Sequence, residues 1–164
     1  MNNEYILSWA QRQDYIAIAD VMYDAVRNGP SRYTDAQRRQ WMPERRSGDD
    51  WDERLDKQEI VIARKNADVV GFMSLDTGGY IDFAYIRPSS QGSGLFRLLF
   101  TQIEALSAAR GDDRLWVHAS LMAQPVFAAM GFNIVERQTV RIGDQEFQRA
   151  EMEKAGISVP EKAL

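Results

Sequence analysis

The chain contains no cysteine and a single histidine, His118. The first absence excludes disulfides, thiolate metal ligands and any cysteine acyl-enzyme, and it fits a reducing cytoplasm. The second excludes sites built from several histidines, so no bound metal is expected. No apolar run approaches the ~20 residues that a membrane-crossing helix needs. Residues Met1 to Ala10 include Glu4 and lack a basic start with a long apolar run, so they do not read as a signal peptide. A strong excess of one charge is missing too. The net charge of −4 gives no global attraction to nucleic acid or to an anionic membrane. Arg38, Arg39, Arg45 and Arg46 cluster, but Asp49, Asp50, Asp52 and Glu53 follow at once, the mixed pattern of a solvated helix face. With 164 residues, 45% of them hydrophobic, one domain with a real core is expected over 1–154. Residues 155–164 read as a tail with little capacity to pack. The expectation is a soluble, cytoplasmic protein.

What is present is a clear alternation of element types. Tyr5 to Trp9 is β-prone. Asp14 can cap a helix carrying Ile16, Ile18, Ala19, Met22, Tyr23 and Val26, which Asn28-Gly29-Pro30 stops. Thr34 or Asp35 can cap a second helix carrying Trp41, and a third runs from about Trp51 to Lys57. Glu59–Arg64 and Val69–Leu75 form a hairpin around Asn66-Ala67-Asp68. After Gly78-Gly79, Tyr80 to Ile86 reads as a third consecutive strand, closed by Pro88. Leu95, Leu98, Leu99, Ile103 and Leu106 give helical spacing up to Arg110-Gly111. Leu115–Ala119 is a buried strand, and Ala123–Met130 is a short helix closed by Gly131. Ile134–Ile142 and Glu146–Met152 make a final hairpin. This order predicts an α/β (α+β) fold: a mixed, mostly antiparallel sheet with helices on both faces and one central β-α-β crossover.

Gln91-Gly92-Ser93-Gly94 lies between a strand and a helix N-terminus. Unpaired N–H groups and the helix dipole favour an anion there, and glycine lets the main chain approach phosphate oxygens. A loop that merely needs glycine is the competing reading. No Gly-Lys-Ser/Thr follows, which excludes a Walker loop, and Arg97 stands where a dinucleotide fingerprint needs its third glycine.

Arg87-Pro88-Ser89-Ser90-Gln91-Gly92-Ser93-Gly94-Leu95 resembles the acetyl-CoA motif of the GNAT N-acetyltransferase superfamily, Gln/Arg-x-x-Gly-x-Gly/Ala after a strand ending in x-Pro. Ala119 to Phe132, with its strand end, short helix and closing Gly131-Phe132, resembles that family's later motif. The separation of the two and the element order match as well. The resemblance covers nearly the whole domain and is strongest from Tyr80 to Phe132. It implies acetyl-CoA as cosubstrate, with the pyrophosphate on N–H groups of Gln91, Gly92, Ser93, Gly94, Leu95 and Phe96. It also implies a pantetheine arm along the main chain of Tyr85 and Ile86, in a slot that opens where strand Leu115–Ser120 splays away. Ser120, Ala123 and Phe127 are expected on the slot's far side. Phe96 stands where the family has Gly or Ala, and Phe127 where many members carry a tyrosine close to the sulfur.

Direct acetyl transfer needs a base for the amine, donors for the oxyanion and an acid for the thiolate. A backbone N–H near Tyr85 or Ile86 is expected to polarise the thioester. Asp82 and Tyr80 share a strand face and are candidates for catalysis. Asp82 reads equally as a structural carboxylate and Tyr80 as a lining residue. His118 shares a face with Ser120 and Trp116 and is the third candidate, against a plain role as a hydrogen-bonded core histidine. Ser120 reads as a pantetheine or water ligand, with no base and orienting partner to make it a nucleophile. Tyr33 and Trp41, in a segment with Met42 and Trp51, are candidates for the acceptor wall, for an amine with an apolar body. The expected acceptor is a primary amine of a small molecule or peptide, with no nucleic-acid or membrane partner. Family habit and the edge strands of the last hairpin make a homodimer a reasonable expectation. The alternative is a non-catalytic acyl-CoA-binding or regulatory module of the same fold.

Overall fold

The computed structural model describes residues 4–156, so most of the tail assigned to 155–164 lies outside the described residues. Strand β1 (Ile6–Trp9) precedes helices α1 (Tyr15–Asn28), α2 (Asp35–Trp41) and α3 (Asp49–Asp56). Strands β2 (Glu59–Lys65) and β3 (Asp68–Leu75) follow, then β4 (Tyr80–Ile81) and β5 (Ala84–Ile86). The second half is α4 (Leu95–Arg110), β6 (Arg114–Ser120), α5 (Gln124–Ala129), β7 (Asn133–Ile142) and β8 (Gln145–Ala155). The last strand therefore passes residue 154 by one position. Among the described residues no helix is long and apolar enough to cross a membrane.

The unbroken apolar run Ile60-Val61-Ile62-Ala63 explains the layering. Successive side chains leave opposite faces of a strand, so a strand apolar at every position must be covered twice. Ile60 and Ile62 meet Ile18, Met22 and Leu55 from α1 and α3, whereas Val61 and Ala63 belong to the core with Leu95, Leu99 and Ile103 of α4. Each of those three α4 side chains is at most 1% exposed, and burying one contributes about 1.5–3 kcal/mol. Two members of the expected helical stripes face outward instead. Ile16 is 84% exposed because it lies roughly 200° around the helix from Ile18, and Leu98 turns to solvent beside the buried Leu99.

The main correction concerns the third hairpin strand. Tyr80 to Ile86 is not continuous: it breaks at Asp82 and Phe83, and its halves serve different sheets. One sheet runs β1-β2-β3-β5 and is antiparallel. The other runs β4-β6-β8-β7, with β4 parallel to β6 through Tyr80↔Trp116 and Ile81↔Val117. Ser74, fully buried, holds the break: its N–H donates to the Phe83 carbonyl and its hydroxyl accepts the Phe83 N–H at 3.0 Å. Past this point β5 pairs only with β3, so a gap opens between β5 and the end of β6. The result is the expected mixed, mostly antiparallel fold with helices on both faces and one parallel crossover through α4.

Candidate active site

The turn before α4 presents free donors. Gly92 and Gly94 take left-handed φ of 73° and 85°, and a Cβ at either would meet nothing within 4 Å, so the backbone angle and not space calls for glycine. The N–H groups of Gly92, Ser93 and Gly94 have no backbone acceptor among the described residues, and those of Leu95 and Phe96 fall in the first turn of α4, where none exists within the helix. The Gln91 N–H is spent on Pro88 O at 3.3 Å, and its side-chain amide donates to Ile86 O at 3.0 Å. Ser93 points its hydroxyl inward, donating to Ser90 O and accepting from Tyr5. Arg87 does not face the turn's open side. It pairs with Asp20 and Asp24 of α1 at 2.7 and 3.1 Å and so ties the turn's base to that helix.

Strand parity selects which main-chain groups face the gap. Ser74 N–H donates to Phe83 O and Arg87 N–H to Val70 O. Alternation in an antiparallel pair then turns Tyr85 toward β3 as well and leaves the N–H groups of Ala84 and Ile86 pointing into the gap. Of the two positions expected to polarise a thioester, Ile86 is the one with an available N–H.

A cavity of about 420 Å³ occupies this gap. It runs from Gly92 and Gly94 past Ile86 to Ser120, Ala123 and Val126. Phe127 is absent from its wall. It is 1% exposed and stacks edge-on to Phe96 and Phe132, with ring centroids 5.2 and 5.0 Å apart, so its expected place in the slot is a correction. The six-residue helix α5 turns Val126 outward to the slot and Phe127 inward to the core. Phe96 is half-buried, leans on Phe127 and shares the slot's wall.

A second cavity of about 190 Å³ meets the first, and Tyr33, Trp41, Tyr85 and Ser120 line both. In this chamber Tyr80 Oη lies 3.1 Å from His118 Nδ1, and the two rings stand edge to face. Burial, helped by the charge of Arg149, lowers the pKa of His118 and keeps its ring neutral. His118 Nε2 is 4.0 Å from a Glu151 oxygen. Asp82 reaches the same chamber, but both its oxygens are gripped by Arg54 at 2.7 and 2.9 Å and one also accepts from Gln58 at 2.7 Å. Tyr33 is buried, donates to Gln148 O and accepts from Leu121 N–H, and burial raises its pKa. Burial raises the Tyr85 pKa strongly, so its hydroxyl keeps its proton. Met42 and Trp51 lie in the core with α1 and line neither cavity.

The chamber also holds Arg46, Arg54 and Arg149 together with Val140, Ile142 and Phe147 of the last hairpin; of these only Arg46 stood out in the sequence, and there as part of a mixed-charge solvated face. Charged residues of this kind read as solvated surface until distant segments are brought together.

Fold and site together define a β-α-β unit whose glycine turn offers unpaired N–H donors to a slot between diverging strands. The family model of the acetyltransferase (GNAT) domain matches residues 30–154. The chain belongs to the GNAT acetyltransferase family. It is 32% identical over 90 residues to the uncharacterised N-acetyltransferase YafP of Escherichia coli K12, covering 55% of this chain and 56% of that protein, so the match spans about half the length of the curated relative. Among solved structures, a GCN5-related N-acetyltransferase (Aminotransferase, Class-II) of Rhodopseudomonas palustris superposes with a TM-score of 0.84 at 27% identity, covering 94% of this chain and 97% of that one. A phosphinothricin acetyltransferase of Sinorhizobium meliloti in complex with acetyl-CoA superposes at 0.72 with 16% identity, covering 96% and 91%, a likeness of fold.

Proposed function

We propose that this chain binds acetyl-CoA in the slot and transfers the acetyl group directly to a primary amine held in the adjoining chamber. The observation that carries the reading is the meeting of the two cavities at Tyr33, Trp41, Tyr85 and Ser120. One cavity ends in an anion-binding turn and the other holds an acid–base pair. The pyrophosphate sits on the N–H groups from Gly92 to Phe96, and Ser120 and Ala123 flank the arm. The Ile86 N–H donates to the thioester oxygen as it gains charge.

For the base, the geometry favours His118 acting through Tyr80. The amine proton passes to Tyr80 Oη as the Tyr80 proton passes to the unprotonated Nδ1, and Glu151 steadies the resulting imidazolium. Asp82 is engaged by three hydrogen bonds, so it fits the task of fixing Arg54 better than that of taking a proton. The departing thiolate accepts a hydrogen bond from Tyr85, whose buried hydroxyl stays protonated. Trp41 and Tyr33 form the wall between donor and acceptor.

Thermal unfolding with acetyl-CoA tests the cofactor claim. At about 100 times the dissociation constant, stability should rise by ~2.7 kcal/mol. CoA release with a panel of amines tests transfer, and His118→Ala should suppress it. A CoA-binding module without turnover is the second reading, favoured by the engaged state of Asp82 and the phenyl ring at position 127. Stabilisation by acetyl-CoA with no product from any amine would establish it, and no stabilisation would sink both.

A further inference from the structure

The chamber's charge is unbalanced in a way the fold does not explain. Three guanidinium groups line it against one carboxylate, and Asp82 is consumed by Arg54. Arg46 has no ion pair or hydrogen bond among the described residues. Arg149 donates only through Nε, to the neutral Gln138 Oε1 at 2.9 Å, which leaves its two terminal nitrogens unengaged. Both side chains are half-buried. The remaining titratable groups facing the chamber are Tyr33, Tyr80, Tyr85 and His118, all neutral at pH 7. Two further acids stand outside the lining: Glu151 lies 3.5 Å from Arg114 and 4.0 Å from His118, and Glu136 reaches Arg149 only through the intervening amide of Gln138. The chamber thus carries two uncompensated positive charges inside a chain whose net charge is −4. Half-buried cations held without a partner are costly to keep, and a forked guanidinium is the group suited to grip a carboxylate or phosphonate.

We infer that the acceptor is an amine of amino-acid size that carries its own anionic group, bound by Arg149 and Arg46. This rests on the acetyl-transfer reading above and names the acceptor class for it. The volume of about 190 Å³ is below that of a drug-sized site, and Val140, Ile142 and Phe147 offer an apolar wall for the rest of the molecule. Among the described residues lining the chamber no free carboxylate awaits a second ammonium, so polyamines are disfavoured. The same positive field lowers the pKa of the bound amine and delivers it closer to its nucleophilic, neutral form. That suits a site whose base is an imidazole reached through a tyrosine.

The test uses the full chain and matched acceptors: amino acids, their carboxamides, their decarboxylated amines and the corresponding aminophosphonates, with CoA release as readout. Carboxylate or phosphonate acceptors should exceed the amide and the bare amine by about 10-fold or more in kcat/KM, the scale of one charge-assisted contact. The carboxylate and phosphonate arms separate the two anions. Arg149→Gln and Arg46→Gln should each raise KM for the anionic acceptors about 10-fold and erase the preference, with Arg149→Lys restoring part of it. Stabilisation by acetyl-CoA should be unchanged in these variants, which also reports that they fold. Should no amine turn over, binding of N-acetyl amino acids against their amides in the presence of CoA reads the same preference. Equal or better use of amides and bare amines, or a preference that survives both substitutions, overturns the inference while leaving acetyl transfer intact. Failure of acetyl-CoA to stabilise the protein would instead remove the reading beneath it.

Discussion

Adding one oxygen at Phe127 separates two pictures of the short helix α5. If the ring faced the slot, Phe127→Tyr would place a hydroxyl beside the sulfur and speed departure of the thiolate. The structure puts it in the core, 1% exposed, between Phe96 and Phe132. A hydroxyl introduced there meets aromatic carbon and lacks a partner, which costs about 1–3 kcal/mol. At about 2–4 °C per kcal/mol for a chain of this size, the melting temperature should fall by roughly 2–12 °C. A hydroxyl introduced at Val126, which lines the slot, should move it little: Val126→Thr, a methyl exchanged for a hydroxyl, is expected within about 0.5 kcal/mol. Thermal unfolding gives both numbers, and CoA release reports whether either variant turns over faster. Because the protein has no cysteine, a thiol reagent reports CoA without background from the chain. A Phe127→Tyr variant that melts as the parent does and turns over faster would refute the placement.

Three further outcomes follow from the geometry. Gly94→Ala should destabilise by about 1–2 kcal/mol through its left-handed φ alone and weaken acetyl-CoA binding, whereas Gly79→Ala adds a collision with the Arg114 carbonyl and should unfold the protein at a clearly lower temperature. Paired thermal melts compare the two, and equal losses would contradict the packing at Gly79. The acid limb of kcat/KM should lie below pH 6.5, since burial keeps His118 neutral there. On acidification through 6.5 the unfolded chain takes up its proton first, so stability falls as pH drops, and His118→Asn should remove that component. Asp82→Asn leaves Arg54 without its charge partner. With the Arg54 side chain about half exposed, the loss should be about 1 kcal/mol after allowance for solvent screening, read as a fall of about 2–4 °C.

The sequence made the layered fold legible where side-chain period carried the information. Glu59 to Arg64 was legible as a strand and Gln91 to Gly94 as a turn before a helix, but the glycines were read as giving room for phosphate, whereas left-handed φ is what calls for them. The break at Asp82 and Phe83 was not legible, because a β-prone run reads the same whether one sheet or two receive it. Phe127 was expected in the slot from the family resemblance, and a six-residue helix carries too little periodicity to overrule that expectation. The chamber's arginines were invisible for another reason: Arg46, Arg54 and Arg149 come from the segment after α2, from α3 and from β8. Only tertiary structure brings them to one cavity.

The break in the third strand has a consequence for how such a protein can diversify. On the proposed reading the donor half rests on β5, the glycine turn and α4, while the acceptor half takes much of its wall from the α2–α3 segment and the closing hairpin. The two halves share only a narrow seam. On the same reading, replacements at Val140, Ile142 or Arg149 would retune which amine is accepted while the cofactor's grip is inherited unchanged. The scaffold behaves as a fixed socket with an interchangeable face.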